Sequence, residues 1–341
     1  MAYFNNGSGA VAVGGYFNNG SGAVKVGGYY NDGSGAKLVM GKKIPQLSAW
    51  TTRTTPNVNN FLSSVCYGNN KFVAVSGLVY DVNYSSISSP DAITWSGSTT
   101  GNNQGVCFAP NKNLFVGVGG TIKTSSDGIA WTSRTTPAIS PYGVCYAQDK
   151  GLFVTVGGSG TGAATSSDGI TWTSRTAAST NTWKSVCYAQ DKGLFVAVSD
   201  TGSGDNRVMT SPDGINWTTR TSAPGQIGHY SVCYGDGLFV ATAVSGTDRI
   251  MTSPDGINWT SRTAPEANGW RSVCFGDGLF VAVANSGTNR VMISTDGIKW
   301  VSRAASVNNS WEYVCYGNNL FVAVAISGNA NRVMTANLIP A

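Results

Sequence analysis

The side chains able to move protons or electron pairs are few, and most of them recur at fixed intervals. Histidine occurs once, at His229, and glutamate twice, at Glu266 and Glu312. A relay through one histidine needs a nucleophile motif beside it, and the chain carries none. Glycoside cleavage needs two converging carboxylates. Of the aspartates, Asp127, Asp168, Asp213, Asp255 and Asp296 share one repeated turn, and Asp91 stands in a weaker copy. Six copies of one catalytic carboxylate make no sense as an active site, so these read as structural. The seven cysteines, Cys66, Cys107, Cys145, Cys187, Cys233, Cys274 and Cys315, are odd in number and lack C-x-x-C or Cys/His metal spacing. They read as free thiols, each a small residue turned toward the interior near the axis of the fold. Asp200 and Asp205, in a Gly-rich loop, read as turn residues and not as a calcium site, which needs more oxygen ligands. The expectation is therefore a protein with no catalytic residues, no metal and no cofactor.

The spacing of those cysteines reveals the elements that carry them. Successive intervals are 41, 38, 42, 46, 41 and 41 residues. Each cysteine lies in a phrase such as Ser272-Val273-Cys274-Phe275-Gly276-Asp277-Gly278-Leu279-Phe280-Val281. About 20 residues later comes a second phrase, Thr252-Ser253-Pro254-Asp255-Gly256-Ile257-Asn258-Trp259 in one copy. Four short strands fit each unit: A around the cysteine, B after an Asp-Gly turn, C before the Ser-x-Asp-Gly turn, and D through the tryptophan. Four antiparallel strands per 40–45 residues describe one blade of a β-propeller. Seven cysteines and seven matching tryptophans (Trp50, Trp95, Trp131, Trp172, Trp217, Trp259 and Trp300) count seven blades. The last unit lacks a Trp-bearing strand D, and Ala49-Trp50-Thr51-Thr52-Arg53 near the other end matches the missing piece. The predicted fold is thus all-β: a seven-bladed propeller over residues 44–341, closed by an N-terminal strand that completes the last blade.

In the second phrase, Asp is expected to accept backbone N–H groups of its turn, Gly to take a positive φ, and Trp to pack between blades. The phrase resembles the Asp-box of sialidase-like and BNR-repeat propellers, with Asp and Trp four residues apart instead of five and with Gln46 where the split blade would carry Asp. Similar Asp-Gly-Ile-x-Trp propellers occur in tailed-bacteriophage tail-fibre and tail-tip proteins. Arg134, Arg175, Arg220, Arg262 and Arg303 each follow the strand-D tryptophan by three, which marks them as part of the repeat, not as a substrate clamp.

Function is expected where the units differ. Four residues before each cysteine stand Leu62, Asn103, Pro141, Trp183, His229, Trp270 and Trp311. Four consecutive blades place a ring there, and the same blades open strand C with Arg207, Arg249, Arg290 and Arg332. Alternating strand directions bring the D–A and B–C connections to one face. Trp183, His229, Trp270 and Trp311 with those arginines are therefore candidates for an exposed arc that stacks on sugars or polar surfaces. The competing expectation is that these rings pack between blades.

Residues 1–43 hold a different repeat of 13 residues, beginning at Tyr3, Tyr16 and Tyr29. Small and β-branched residues alternate between Asn-Gly turns, which predicts a short-stranded meander too small to stand alone. Net charge is +5, charged residues are 11% of the chain, and no Lys/Arg cluster points to nucleic acid. No stretch approaches the roughly 20 apolar residues of a membrane helix, and the N-terminus does not read as a secretion signal. The resemblance implies a virion protein, made in a host cytoplasm and acting outside the cell. Its N-terminal repeats would dock to other virion proteins or identical chains, and its propeller would bind a host-surface glycan or receptor. The competing readings are a capsid decoration or head fibre with no receptor, a sialidase-like glycan-cleaving enzyme, and a lectin.

Overall fold

The computed structural model describes residues 15–18, 23–26, 29–31, 36–38, 46–56, 61–78, 85–99, 103–202 and 206–339. Contacts divide the chain into residues 1–46 with 339–341, and residues 47–338. In the first unit the described strands form two separate antiparallel hairpins, Gly15–Asn18 with Ala23–Val26 and Tyr29–Asn31 with Ala36–Leu38. The expected meander is thus a pair of hairpins, each closed within about one 13-residue unit. Residues 1–14, with the first copy of the repeat, lie outside the described residues.

The propeller comprises seven antiparallel sheets, six of them four-stranded in the order A-B-C-D and the seventh with a further short strand, Gln46–Leu47, beside its strand C. In the fifth blade, strand A is Gln226–Gly235, B is Leu238–Gly246, C is Ile250–Ser253 and D is Thr260–Arg262. Each strand A packs against strand A of the next blade, and the last, Trp311–Gly317, packs on the first, Phe61–Gly68. The ring therefore closes. Its seventh blade joins Trp311–Gly317, Leu320–Ala325 and Val333–Ile339 to Thr51–Arg53, with Val333 opposite Arg53, Met334 opposite Thr52 and Thr335 opposite Thr51. No α-helix occurs among the described residues, only the 3-10 turns Pro110–Lys112 and Gln190–Lys192.

The apolar core is divided among the blade interfaces. One cluster joins Val240 and Ile250 of blade five to Trp270, Val273 and Met292 of blade six, and the others repeat this arrangement around the ring. The strand-B phenylalanines Phe72, Phe115, Phe153, Phe195, Phe239, Phe280 and Phe321 are fully buried. Between strands C and D, Asp168 Oδ1 accepts the N–H groups of Thr171 (2.7 Å) and Ile170 (2.8 Å) and the Ser166 hydroxyl (2.9 Å). The Thr171 N–H leads in holding this carboxyl down to about 2. The same bonds recur at Asp91, Asp127, Asp213, Asp255 and Asp296. Even the weaker copy at Asp91 folds this way, with Ala92 at φ 58° where the others use glycine. The repeated arginines have a local task too: Nε of Arg134, Arg175, Arg220 and Arg262 donates to a strand-C threonine at 2.9–3.0 Å.

Glycine at the turn meets two demands at once. Gly256 has φ 74°, and a Cβ there would stand 2.9 Å from Val196 Cγ2 of the preceding blade. Gly256→Ala is expected to cost about 2–4 kcal/mol, from left-handed strain plus overpacking. Urea unfolding of the variant checks this, and an unchanged midpoint would show that the interface relaxes.

Candidate functional site at the mouth of the axial channel

The predicted aromatic arc is not an exposed surface. Trp183, Trp270 and Trp311 are fully buried between blades, and so is His229. The three indoles donate through Nε1 to carbonyls four residues earlier, those of Ser179, Glu266 and Val307. The arginines that open strand C are likewise occupied with backbone. Arg249 donates to the carbonyls of Val244 and Asn268, Arg290 to those of Gly287, Asn308 and Asn309, Arg207 to Gly202, and Arg332 to Gly328. They brace the B–C loops, and two of them also tie that loop to the next blade. The packing expectation describes these residues, and the expected exposed arc is corrected accordingly.

The variable chemistry lies one residue further along. In six blades strands A and B fall out of register immediately after the buried position, between Trp183 and Ser185, for example, or Trp270 and Ser272. Such a bulge leaves one residue unpaired and re-aims its side chain. The bulged residues are Ser63, Tyr142, Lys184, Tyr230, Arg271 and Glu312, and Gln104 holds the equivalent place in blade two. All seven line one cavity of about 280 Å³ at the end of the axial channel. Beyond it the channel continues past Tyr313, which belongs to the wall of both parts, into a wider section of about 390 Å³ lined by the repeated Val-Cys-Tyr/Phe segments.

Charge is unevenly distributed around this mouth. Blades three to seven present the sequence Tyr142, Lys184, Tyr230, Arg271, Glu312. Lys184 Nζ lies 3.8 Å from the centre of the Tyr142 ring and 3.3 Å from Asp200 Oδ2. The Arg271 guanidinium lies 4.1 Å from the centre of the Tyr230 ring, and its Nε is 3.7 Å from Glu312 Oε2. That distance is an ion pair and is too long for a hydrogen bond. Arg271 Nε and Glu312 Oε2 have no hydrogen-bond partner among the described residues. Burial pushes the Glu312 carboxyl above the usual carboxylate range, although Arg271 and Lys184 pull it back. Ser63 and Gln104 complete the ring with an uncharged sector. The site thus offers a stacked guanidinium whose Nε has no acceptor among the described residues, a carboxyl whose proton affinity burial raises, and neutral hydrogen-bonding groups opposite.

His229 offers nothing to this mouth. Burial, helped by the charge of Arg207, holds its imidazole down to about 3, so it is neutral. All seven cysteines are free and half-buried on the channel wall. Burial pushes their thiols up, most strongly where neighbouring cysteines add to it. Because the thiolate is the nucleophile, titration of the native protein at pH 8 is expected to modify few thiols while denaturant releases seven. Rapid reaction of the native protein would show that burial on the channel wall does not hold the thiols protonated. No group of three or more His, Cys, Asp or Glu side chains stands close enough to hold a metal ion among the described residues. Asp205 lies outside them.

No protein-family model matches the chain, and no curated protein matches it by sequence. Solved structures do share its fold. The virginiamycin B lyase of Staphylococcus aureus superposes with a TM-score of 0.72 at 9% identity, over 86% of this chain and 100% of that one. A catalytically inactive histidine-to-alanine variant of that lyase, solved with quinupristin, gives 0.73. YCF48 from Cyanidioschyzon merolae gives 0.62 at 15% identity over 85% and 98% of the two chains, and the WD40 repeats of RRP9 give 0.66 at 8% over 86% and 100%. At these identities the likeness is one of fold: the chain is a seven-bladed β-propeller of the architecture shared by such lyases and WD40 proteins.

Proposed function

We propose that the chain is a non-enzymatic binding protein whose ligand enters the axial mouth. One observation carries this reading. The blades repeat nearly every structural residue, yet three residues before the cysteine they present Ser63, Gln104, Tyr142, Lys184, Tyr230, Arg271 and Glu312 to a single cavity. A scaffold that needed only to be a ring would have no use for this variety. The 13-residue repeats of residues 1–43 and the Asp-Gly-Ile-x-Trp turns support placing it on a bacteriophage virion. There the N-terminal hairpins dock to other virion proteins and the propeller meets a host-surface glycan or receptor. A structural role in the capsid leaves the polar mouth without a task.

A catalytic reading has one observation in its favour: the same fold serves as a lyase in the neighbours above. Loss of a histidine leaves the virginiamycin B lyase catalytically inactive, whereas the one histidine here is sealed between blades. Proton transfer in this chain would fall to Glu312. Two measurements test the binding reading. Immunogold labelling should place the chain on intact particles. Binding of the full chain to host cells or a glycan array should fall more than tenfold in Lys184→Ala and in Gln104→Ala. Unchanged binding in both variants would sink it, and ligand turnover abolished by Glu312→Gln would establish the enzyme instead.

A further inference from the structure

Within the mouth, the donors and acceptors are not equally spent. Lys184 is committed to Asp200 and lies over the Tyr142 ring. Ser63 Oγ points to the backbone carbonyls of Val75 and Asn103 at the outer limit of hydrogen bonding. Arg271 differs. Its guanidinium lies against the Tyr230 face and beside Glu312, its buried Nε has no acceptor among the described residues, and the side chain, which lines the cavity, keeps 21% of its surface exposed. A planar fork of N–H donors, held rigid and already largely desolvated, is matched by two oxygens of an anion. Glu312 stands too far away to supply them and too close to ignore their charge.

We propose that Arg271 is a receptor for an oxyanion, a carboxylate or phosphate carried by a ligand about the size of one sugar residue, and that Glu312 takes up a proton from solvent when that anion binds. The inference rests on the reading of the mouth as the ligand site. Its physical basis is simple. Two carboxylates, or a carboxylate and a phosphate, sharing one guanidinium in a cavity of about 280 Å³ cannot both keep their charge. Glu312 already sits above the usual carboxylate range, because burial outweighs the pull of Arg271 and Lys184, so it is the group that yields. The other charged or titratable groups facing it are Lys184, Asp200, Arg271 and the phenols of Tyr142, Tyr230 and Tyr313. Lys184 and Asp200 neutralise one another, so the mouth with Glu312 protonated carries the single positive charge of Arg271.

Linkage gives the sign. Above the Glu312 titration each bound anion must bring a proton with it, so affinity falls as pH rises, approaching tenfold per unit. The experiment uses the full chain and three probes, galacturonate, glucose 6-phosphate and glucose, titrated by calorimetry or NMR at pH 5 and pH 8. Galacturonate, ionised at both pH values, should bind at least tenfold tighter at pH 5, Arg271→Gln should weaken both acidic probes at least tenfold, and Glu312→Gln should leave galacturonate binding with little pH dependence. Calorimetry in two buffers of different ionisation heat should show proton uptake in the parent protein and none in Glu312→Gln. Comparing galacturonate with glucose 6-phosphate tells which anion the fork prefers. If glucose binds as well as galacturonate and both weaken in Gln104→Ala but not in Arg271→Gln, this inference falls while the mouth stands as a ligand site. If neither variant affects any probe, both readings fall. A melting curve matching the parent for each variant separates lost binding from lost fold.

Discussion

Acidification from pH 7 to pH 4.5 is expected to remove about 3 kcal/mol of folding stability through His229 alone. The imidazole is sealed in the interface and held down to about 3 by burial and by Arg207, while in the unfolded chain it titrates near 6.5. Between those values the unfolded state binds a proton that the folded state refuses, so stability falls as pH falls, by about 1.4 kcal/mol per unit. The aspartate turns titrate in the same direction but lower. Their carboxyls are depressed, Asp168 to about 2, so what they contribute is present above the ordinary carboxylate range near 4 and is lost only below it. The two sources therefore separate on the pH axis. His229→Phe should be as stable as the parent or more so at pH 7, since neither ring nitrogen has a hydrogen-bond partner among the described residues. The variant should also lose the acid limb between pH 6.5 and 4.5. Urea unfolding across that range decides it: equal stability of the parent at pH 7 and pH 5 would mean that the imidazole reaches solvent.

His229 also shows what the sequence could and could not reveal. The blade count, the strand assignments and the split seventh blade were legible because each rests on a repeated residue, and a ring fold repeats its structural residues. The cysteine interval located strand A seven times, and the stray Trp50 located the borrowed strand. The site was not legible, for a reason of one residue. Position four before the cysteine varies and is aromatic in Trp183, Trp270 and Trp311, which suggested a stacking platform. The structure turns that position into the blade interface. A bulge then adds an unpaired residue, and it is this extra residue, not the ring before it, that lines the mouth of the channel. Nothing in Trp183-Lys184-Ser185 announces the bulge, and without it an alternating strand assigns the faces wrongly. A signal was available nonetheless. In a chain with 11% charged residues, the column three before the cysteine holds Lys184, Arg271 and one of only two glutamates. Charge placed on the innermost strand of a propeller has nowhere to go but the channel.

Removing the borrowed strand should cost more than any single substitution in the blades. A chain beginning at residue 55, compared with one beginning at Gln46, loses the pairing of Thr51, Thr52 and Arg53 with Val333, Met334 and Thr335. It also loses the Arg53 Nε bond to Thr335 Oγ1 at 2.8 Å, the local equivalent of the arginine–threonine bond in other blades. With it goes Trp50, 7% exposed and packed in the cluster of Trp311, Leu279 and Met334. Trp50→Ala alone is expected to cost about 3–5 kcal/mol, as for other buried tryptophans. The truncation adds a second penalty of a different kind, because it leaves Val333–Ile339 as an open edge with unpaired N–H and C=O groups. The shortened chain should therefore melt well below the reference and self-associate, and a synthetic peptide of residues 46–54 should restore both the melting temperature and the monomer. In every other blade the turn between strands C and D is covalent, whereas here the two strands come from distant parts of the chain, and among the described residues Trp50 Nε1 has no acceptor of the kind that Trp217 and Trp259 find in their turn glycines. The seventh blade is thus the one blade whose strands C and D meet without a covalent turn, and a truncated chain with unchanged melting would show that the other six interfaces suffice to keep the ring closed.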